Sequence, residues 1–303
     1  MISVLMVSFN TKDLTIRSID TLLANTSERI EVIVVDNNSS DGSANAVADH
    51  FPDVTLIRSD ENLGFGRACN LGAQSARGAY LLLLNPDTEV LPGAIDQLLL
   101  FAQSAPQARI WGGRTIYGDG TLNPASCWRQ QSVWGLLTTA LGLASAARDS
   151  AWLNPEGYGG WSRDSIREVD IVSGCFMLIE RNLWDRLSGF DPVFFMYGED
   201  ADLCIRARQF GARPMITPDA TIIHHSGASE PVRADKIVRL YRAKIQLMER
   251  HWSPLASQLG RGLIKLNVLR RRLLFDLKRR WHRAPAEADN PFMLVWSRRA
   301  EWS

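Results

Sequence analysis

The sequence predicts an α/β protein built on a mostly parallel sheet flanked by helices, and three observations carry that prediction. Short, almost wholly apolar runs recur in the first hundred residues, at 2–9, 30–35, 54–59 and 79–84. Between them lie segments whose apolar residues repeat at helical spacing. The runs also end on polar turn residues, as in "VVDNNSSDGS" and "LLLLNPDTEV". A strand covered on both faces reads as a continuous apolar run, and strands alternating with helices imply parallel pairing.

Taken in order, "ISVLMVSF" is the first strand, and "KDLTIRSIDTLLANT" is a helix with Ile16, Ile19, Leu22 and Leu23 at helical spacing after an Asn10 cap. "IEVIVV" is the second strand, closing on Asp36, and "VTLIRS" is the third. "NLGFGRACNLGAQSARG" is a glycine-bearing loop and a helix stopped by Gly78, and "AYLLLL" is a fourth strand running into Asn85, Pro86 and Asp87. Pro92 suits a helix start, with Ile95, Leu98, Leu99 and Ala102 as its buried stripe. From 111 to 165 the pattern loosens, and half of the 10 tryptophans fall there (Trp111, Trp128, Trp134, Trp152 and Trp161), which predicts an irregular lid or binding region. "VDIVSGCFMLIE" at 169–180 is read as one strand, "RNLWDRLSG" as a short helix, the stretch from Glu199 to Gly211 as another, and "ATIIHHSGAS" as a last strand entering a loop.

Composition narrows the function classes. With 46% apolar and 22% charged residues, the 303-residue chain is globular, and a net charge of +1 gives no overall pull toward nucleic acid. The charge is unevenly spread: nine Lys and Arg stand against one Asp between 261 and 283. Four cysteines lie far apart, without the close pairs of a zinc or redox motif, and "MISVLMVSFN" reads as a strand rather than a basic leader. The expectation is a reduced, cytoplasmic chain. "GLLTTALGLASAA" is too short to cross a bilayer.

Three acidic positions stand where elements begin or end: Asp36, Asp87 and the pair Glu199-Asp200. In a doubly wound sheet the first two converge on the carboxyl rim, where ligands bind. A carboxylate there accepts the imide N–H of a uracil or thymine base or a ribose hydroxyl, and another holds a divalent cation against a diphosphate. His224 and His225 end a strand, so they point to opposite faces and at most one faces such a site.

The segments "VSFN", "VVDNNSSDGS", "NLGFGRACNLGAQSARGAYLLLLNPDTEVLPG", "SGCFMLIER", "FFMYGEDADLCIRARQFG" and "HHSGAS" together resemble glycosyltransferase family 2, closest to its bacterial rhamnosyltransferase-like branch, over roughly residues 2–230. The resemblance implies a GT-A fold, a nucleotide-diphosphate sugar donor, a divalent cation (Mn2+ or Mg2+) and inversion at the anomeric carbon. By position it makes Asp36 the base-binding acid, Asp87 the metal-binding acid and Asp200 the general base, with Glu199 as its alternate. Along the donor it places Ser8, Asn10, Asn38, Asn62, Gly64, Arg67, Asn70 and Asn85, the last standing where the family's motif has its first acid. Gly64 and Gly66 would let the backbone approach the nucleotide. His224, with Gly227 and Ser229 in a His-x-x-Gly-x-Ser loop, becomes the further metal ligand or a diphosphate donor, and an imidazole ligand favours Mn2+. A helix start carrying Glu199, Asp200 and Asp202 would lower the pKa of Asp200 through the macrodipole and weaken it as a base.

The domains expected are 1–232, divided into a nucleotide-sugar-binding half (1–110) and an acceptor and catalytic half (111–232), and a helical basic extension over 233–303. The activity implied is transfer of a sugar, rhamnose from dTDP-rhamnose, to a glycan or lipid-linked saccharide. A UDP-hexose donor and a nucleotide-sugar-binding module without catalysis are the rivals. A dinucleotide-binding dehydrogenase is disfavoured, since "VLMVSFNTKD" lacks Gly-x-Gly-x-x-Gly after the first strand. Residues 259–281 predict a helix with Leu259, Leu263, Leu266, Leu273, Leu277 and Trp281 on one face amid the basic cluster. Such a helix lies on an anionic membrane surface or packs on the domain with a solvated basic face.

Overall fold

A computed structural model describes residues 1–225, 233–281 and 290–303. The chain opens with β1 (Ile2–Ser8), α1 (Lys12–Ala24), β2 (Ile30–Asp36), α2 (Ser43–His50), β3 (Thr55–Arg58), α3 (Phe65–Ala73) and β4 (Tyr80–Leu84). It continues through β5 (Thr88–Val90), α4 (Ala94–Ser104), β6 (Ile110–Ile116), β7 (Leu122–Asn123), β8 (Cys127–Trp128), α5 (Val133–Leu141) and α6 (Leu143–Ala146). Then come β9 (Arg167–Glu168), β10 (Ile171–Val172), β11 (Phe176–Glu180), α7 (Arg181–Leu187), α8 (Glu199–Gln209) and β12 (Met215–His224). Three helices follow, α9 (Arg233–His251), α10 (Pro254–Trp281) and α11 (Pro291–Ser297).

Among the described residues, the main sheet runs β3-β2-β1-β4-β11-β6-β12-β5. The pairings of β1 with β2 and β4, and of β2 with β3, are parallel, as the apolar runs required. Beyond β4 the sheet becomes mixed, because β11 enters antiparallel to both β4 and β6. The run Leu81 to Leu84 is buried throughout, which answers to helices covering both faces of a central strand. α4 contributes Ile95, Leu98, Leu99 and Ala102 to the same core.

The structure corrects several expected elements. β6, a seven-residue strand, lies between β11 and β12 inside the segment read as irregular. Its Gly112-Gly113 pair hid it, since glycine weakens a strand pattern. Close packing demands these glycines: a Cβ on Gly113 would sit 2.1 Å from the Ala220 carbonyl oxygen. Trp111 is buried, and its Nε1 donates to the Ala105 carbonyl at 2.9 Å, so it is a core residue. The stretch 169–180 breaks at Ser173-Gly174-Cys175 into β10 and β11, which belong to different sheets. α3 ends at Ala73, well before Gly78, whose own task is a close approach: a Cβ there would lie 2.6 Å from the Ser3 nitrogen.

The chain divides into two units, Met1–Trp128 with Ser162–Ser229, and Arg129–Trp161 with Glu230–Ser303. The first holds the sheet. In the second, α5 from the tryptophan-rich segment shares a core with the C-terminal helices, formed by Leu136, Ala140, Val238, Ile245, Met248, Ile264, Val268, Val295 and Trp302. The segment 129–161 therefore groups with the helical extension rather than with the residues on either side of it in sequence.

Candidate functional site

Parallel pairing fixes where the first two carboxylates stand. Ser8 on β1 is in register with Asp36 at the end of β2, and Leu5 is in register with Leu83 on β4, so both neighbouring strands end on one rim. Two strand spacings, about 10 Å of sheet width, separate them. Asp36 is buried, its Oδ2 accepts from the Ser39 amide at 3.1 Å, and its buried Oδ1 has no hydrogen-bond partner among the described residues. A buried carboxylate oxygen left without a donor is costly unless a ligand N–H or O–H completes it.

Asp87 follows β4 across Asn85 and Pro86, and the strand that positions its partner is β5, absent from the sequence reading. β5 pairs antiparallel with the end of β12, setting His224 opposite Thr88. His224 Nε2 comes to 3.4 Å from Asp87 Oδ1, with both side chains buried. His225 turns the other way to bond Glu89 at 2.7 Å, as strand alternation requires, while its amide donates to the Asp87 carbonyl at 3.0 Å. Burial pushes the Asp87 carboxyl up, but the hydrogen bond and charge of His224 outweigh it and hold the group below its ordinary value. For His224, burial opposes the charged ring, and Cys175 and Asp87 more than reverse that, pushing it up to about 10. Cys175, buried beside the pair, was not singled out in the sequence, because only the chain reversal before β11 brings it there.

An oxygen and an imidazole nitrogen from two buried side chains make a donor set suited to Mn2+. Among the described residues no cluster of three or more His, Cys, Asp or Glu is arranged to hold a metal ion, so an ion held by Asp87 and His224 would need further ligands from beyond this pair. Cation binding would displace the proton that His224 otherwise shares with Asp87. Gly227 and Ser229 lie outside the described residues.

Glu199 and Asp200 reach the same rim by a chain of backbone contacts. The Asn85 amide donates to the Cys175 carbonyl at 3.1 Å, and the Gly174 amide donates to Asp200 Oδ2 at 3.3 Å. Asp200 Oδ1 also accepts from the Ala201 amide at 2.8 Å. Burial raises the pKa of Asp200 despite these bonds, so the lowering expected from the helix dipole is overturned by desolvation. Glu199 is buried deeper, against α3, where a Cβ on Gly66 would lie 3.6 Å from its own Cβ. Burial first and the Asp200 charge second push Glu199 up to about 8. Asp202, fully buried, pairs with Arg206 at 2.6 Å and serves the fold.

The glycine loop before α3 is a clamp on the segment that leads to Glu199. Gly64 has φ +77°, and a Cβ there would fall 2.1 Å from the Phe195 carbonyl oxygen, which accepts from the Phe65 amide at 2.9 Å. Arg67 donates from Nε and Nη2 to the Pro192 carbonyl at 3.1 and 3.0 Å. Asn70 exchanges two bonds with Phe190, at 2.8 and 2.9 Å. These residues, expected against the nucleotide, thus hold the 190–195 loop. Ser8 is occupied likewise, its hydroxyl bonding Thr15 at 2.9 Å and Thr11 at 3.2 Å inside the core.

Other expected donor contacts order the rim loops. Asn10 Oδ1 accepts from the Ser40 amide at 2.8 Å, tying the end of β1 to the turn after β2. Asn38 adopts φ +63° in that turn, a conformation asparagine tolerates. Asn62 Oδ1 accepts from the Gly64 amide at 2.9 Å and from Asn37 Nδ2 at 2.9 Å. Asn37, buried and unremarked in the sequence, also accepts from the Leu63 amide at 2.8 Å. The Asn85 carbonyl accepts from Thr88 Oγ1 at 2.7 Å, and its half-buried side chain stays on the rim.

The sheet is mixed α/β, with buried carboxylates gathered on the carboxyl rim of its parallel strands and a histidine delivered by a late strand. The profile of "Glycosyl transferase family 2" matches residues 3–187. The N-acetylglucosaminyl-diphospho-decaprenol L-rhamnosyltransferase of Mycobacterium tuberculosis is 30% identical over 222 residues, 67% of this chain and 69% of that protein. The O-antigen biosynthesis protein RfbC of Myxococcus xanthus is 30% identical over 230 residues, 72% of this chain but 16% of its own length. A mannosyltransferase from Pyrobaculum calidifontis, solved with GDP-Man and Mn2+, shares the fold at a TM-score of 0.58 and 17% identity, covering 99% of this chain and 79% of that one. This chain belongs to glycosyl transferase family 2 and is a glycosyltransferase. The family match ends before Asp200 and His224, so their roles rest on geometry.

Proposed function

We propose that the chain is an inverting, metal-dependent glycosyltransferase that moves rhamnose from dTDP-rhamnose to a hydroxyl of a lipid-linked saccharide or growing glycan, working at the cytoplasmic face of a membrane. One observation carries the reading: Asp87 and Asp200 are held on a single rim through the backbone bridge of Asn85, Cys175 and Gly174. The Mycobacterium tuberculosis relative, whose name specifies rhamnosyl transfer to a diphospho-decaprenol saccharide, supports rhamnose as the sugar moved and a lipid-linked saccharide as the acceptor.

In this reading the imide N–H of the thymine base satisfies the buried Oδ1 of Asp36. Asp87 and His224 would hold Mn2+, which supplies Lewis acidity toward the departing diphosphate. The acceptor oxygen attacks the anomeric carbon from the face opposite the diphosphate. The bond from that carbon to the diphosphate oxygen breaks, its electron pair stays on the diphosphate, and the acceptor proton passes to Asp200. A carboxylate whose pKa burial has raised is a stronger base than one in water, which suits this step.

The test is transfer to a GlcNAc-diphospho-lipid acceptor with Mn2+, comparing dTDP-rhamnose with UDP-glucose and UDP-galactose. Rhamnosylated product and released dTDP are expected. Faster turnover of a UDP-sugar would transfer the assignment to that donor, and donor binding with neither transfer nor hydrolysis would reduce the chain to a binding module.

A further inference from the structure

Helix α10 carries a leucine stripe that the fold leaves uncovered. Leu255, Leu259, Leu266, Leu269, Leu273 and Leu277 recur at spacings of three, four and seven and are 36–81% exposed. At 100° per residue they share one face of about 80°. Leu263, expected in this stripe, is instead buried, and Gly260, Ile264 and Val268 form the face that packs inward. The exposed apolar surface extends beyond α10. Arg270 donates to the Thr139 carbonyl at 3.3 Å, and a Cβ on Gly142 would meet its Nη1 at 2.5 Å, so the exposed Leu141 and Leu143 lie beside the stripe. A run of this kind on a solvated surface marks a docking face.

The charges around the stripe decide what docks. Lys265 and Arg272 flank it on one side, with Asp276, whose Oδ1 accepts from Asn290 Nδ2 at 3.0 Å, between Arg272 and the stripe, and among the described residues neither cation makes a side-chain ion pair. Lys265 also lines a shallow depression with Ser297, Arg299, Ala300 and Ser303, which adds Arg299 as a third cation on that flank. Arg270 edges the other side. A second copy of the helix packed stripe to stripe, with Leu259, Leu266 and Leu273 at one heptad position, would bring Lys265 and Arg272 against the cations of its partner, and like charges at those flanking positions oppose pairing. Anionic headgroups meet the same cations favourably while acyl chains take up the leucines. We propose that this face of α10, with Leu141 and Leu143, docks on an anionic lipid surface. Its purpose rests on the lipid-linked acceptor proposed above, but the docking itself is read without catalysis.

The full chain is tested by flotation with vesicles of phosphatidylcholine alone or mixed with phosphatidylglycerol, in low and high salt. The variants are Leu266→Glu with Leu273→Glu, Lys265→Glu with Arg272→Glu, and the milder Leu266→Ser with Leu273→Ser, each checked by thermal unfolding. Wild type is expected to float with the anionic vesicles, to release in high salt, and to lose roughly tenfold or more in partitioning with either charge-introducing pair. The serine pair keeps the test decisive if a glutamate pair perturbs folding, and it too should weaken binding. Wild type remaining with the soluble fraction, stripe variants that bind as wild type, or a concentration-dependent dimer in light scattering that the stripe variants dissolve would each overturn the proposal. Transfer to a water-soluble acceptor analogue, measured without vesicles, separates a failure of docking from a failure of the activity assignment.

Discussion

Replacing Gly64 by alanine tests whether the glycine loop clamps the segment that leads to Asp200, the proposed base. Gly64 sits at φ +77° and ψ −178°, a region that essentially only glycine occupies, and holding another residue there costs about 1–3 kcal/mol. Its new Cβ would also be 2.1 Å from the Phe195 carbonyl oxygen, a backbone atom that cannot rotate away. Forcing such an overpacked contact apart adds about 1–3 kcal/mol. A combined loss of about 3 kcal/mol lowers the melting temperature of a domain this size by roughly 6–12 °C. Gly42→Ala is the control, because Gly42 has φ +83° but nothing within 4 Å of the new Cβ. It should cost only about 1–2 kcal/mol. The 190–199 segment must move in Gly64→Ala, and a shift of about 1 Å at the base costs on the order of a hundredfold in rate. Thermal unfolding and single-turnover transfer are measured side by side. If Gly64→Ala melts no lower than Gly42→Ala, or melts lower yet transfers at the parent rate, the clamp is not what the glycine is for.

The remaining predictions concern the carboxylates. Asp87→Ala should abolish the gain in dTDP affinity that Mn2+ confers, read by calorimetry with and without the ion; an unchanged metal effect would remove Asp87 from the site. Asp200→Asn should keep donor affinity and lower single-turnover transfer by on the order of a hundredfold or more. In the parent, transfer should fall as pH drops through the raised pKa of Asp200, above the ordinary aspartate value of 3.8, and a rate limb at or below that value would count against it as base. Glu199→Gln should raise thermal stability at pH 8 and leave it nearly unchanged at pH 5. The sign follows from a folded pKa of about 8 against the ordinary glutamate value of 4.5: the folded state binds the proton more tightly, so the stabilisation is complete below 4.5 and is lost as pH climbs toward 8. Equal gains at both pH values would assign the effect to packing instead.

Much of this was legible in the sequence. The apolar runs marked β1, β2 and β4, because burial on both faces favours apolar side chains, while β3, with Thr55 and Arg58 exposed, is a less covered strand. The same logic set Asp36 and Asp87 on one rim, since parallel strands end together. Strand alternation separated His224 from His225. The glycines were visible too, but their reasons were not: Gly64 answers to Phe195 and Gly78 to Ser3, partners 131 and 75 positions away.

What the sequence determined by itself was the set of local periodicities and the positions of acids at element ends, because these depend on neighbours in the chain. Tertiary structure decided the surroundings of each of those acids. Asp200 and Glu199 are adjacent, both start α8, and no local rule tells them apart. Gly174 reaches one and Gly66 packs on the other, and desolvation by those distant segments outweighs the helix dipole that sequence reasoning relied on. The same holds for α10, where nothing in the leucine spacing distinguishes Leu263 from Leu266. Only the arrival of α5 and α9 buried the first and left the second exposed, since burial is a property of what packs against a face and not of the face itself.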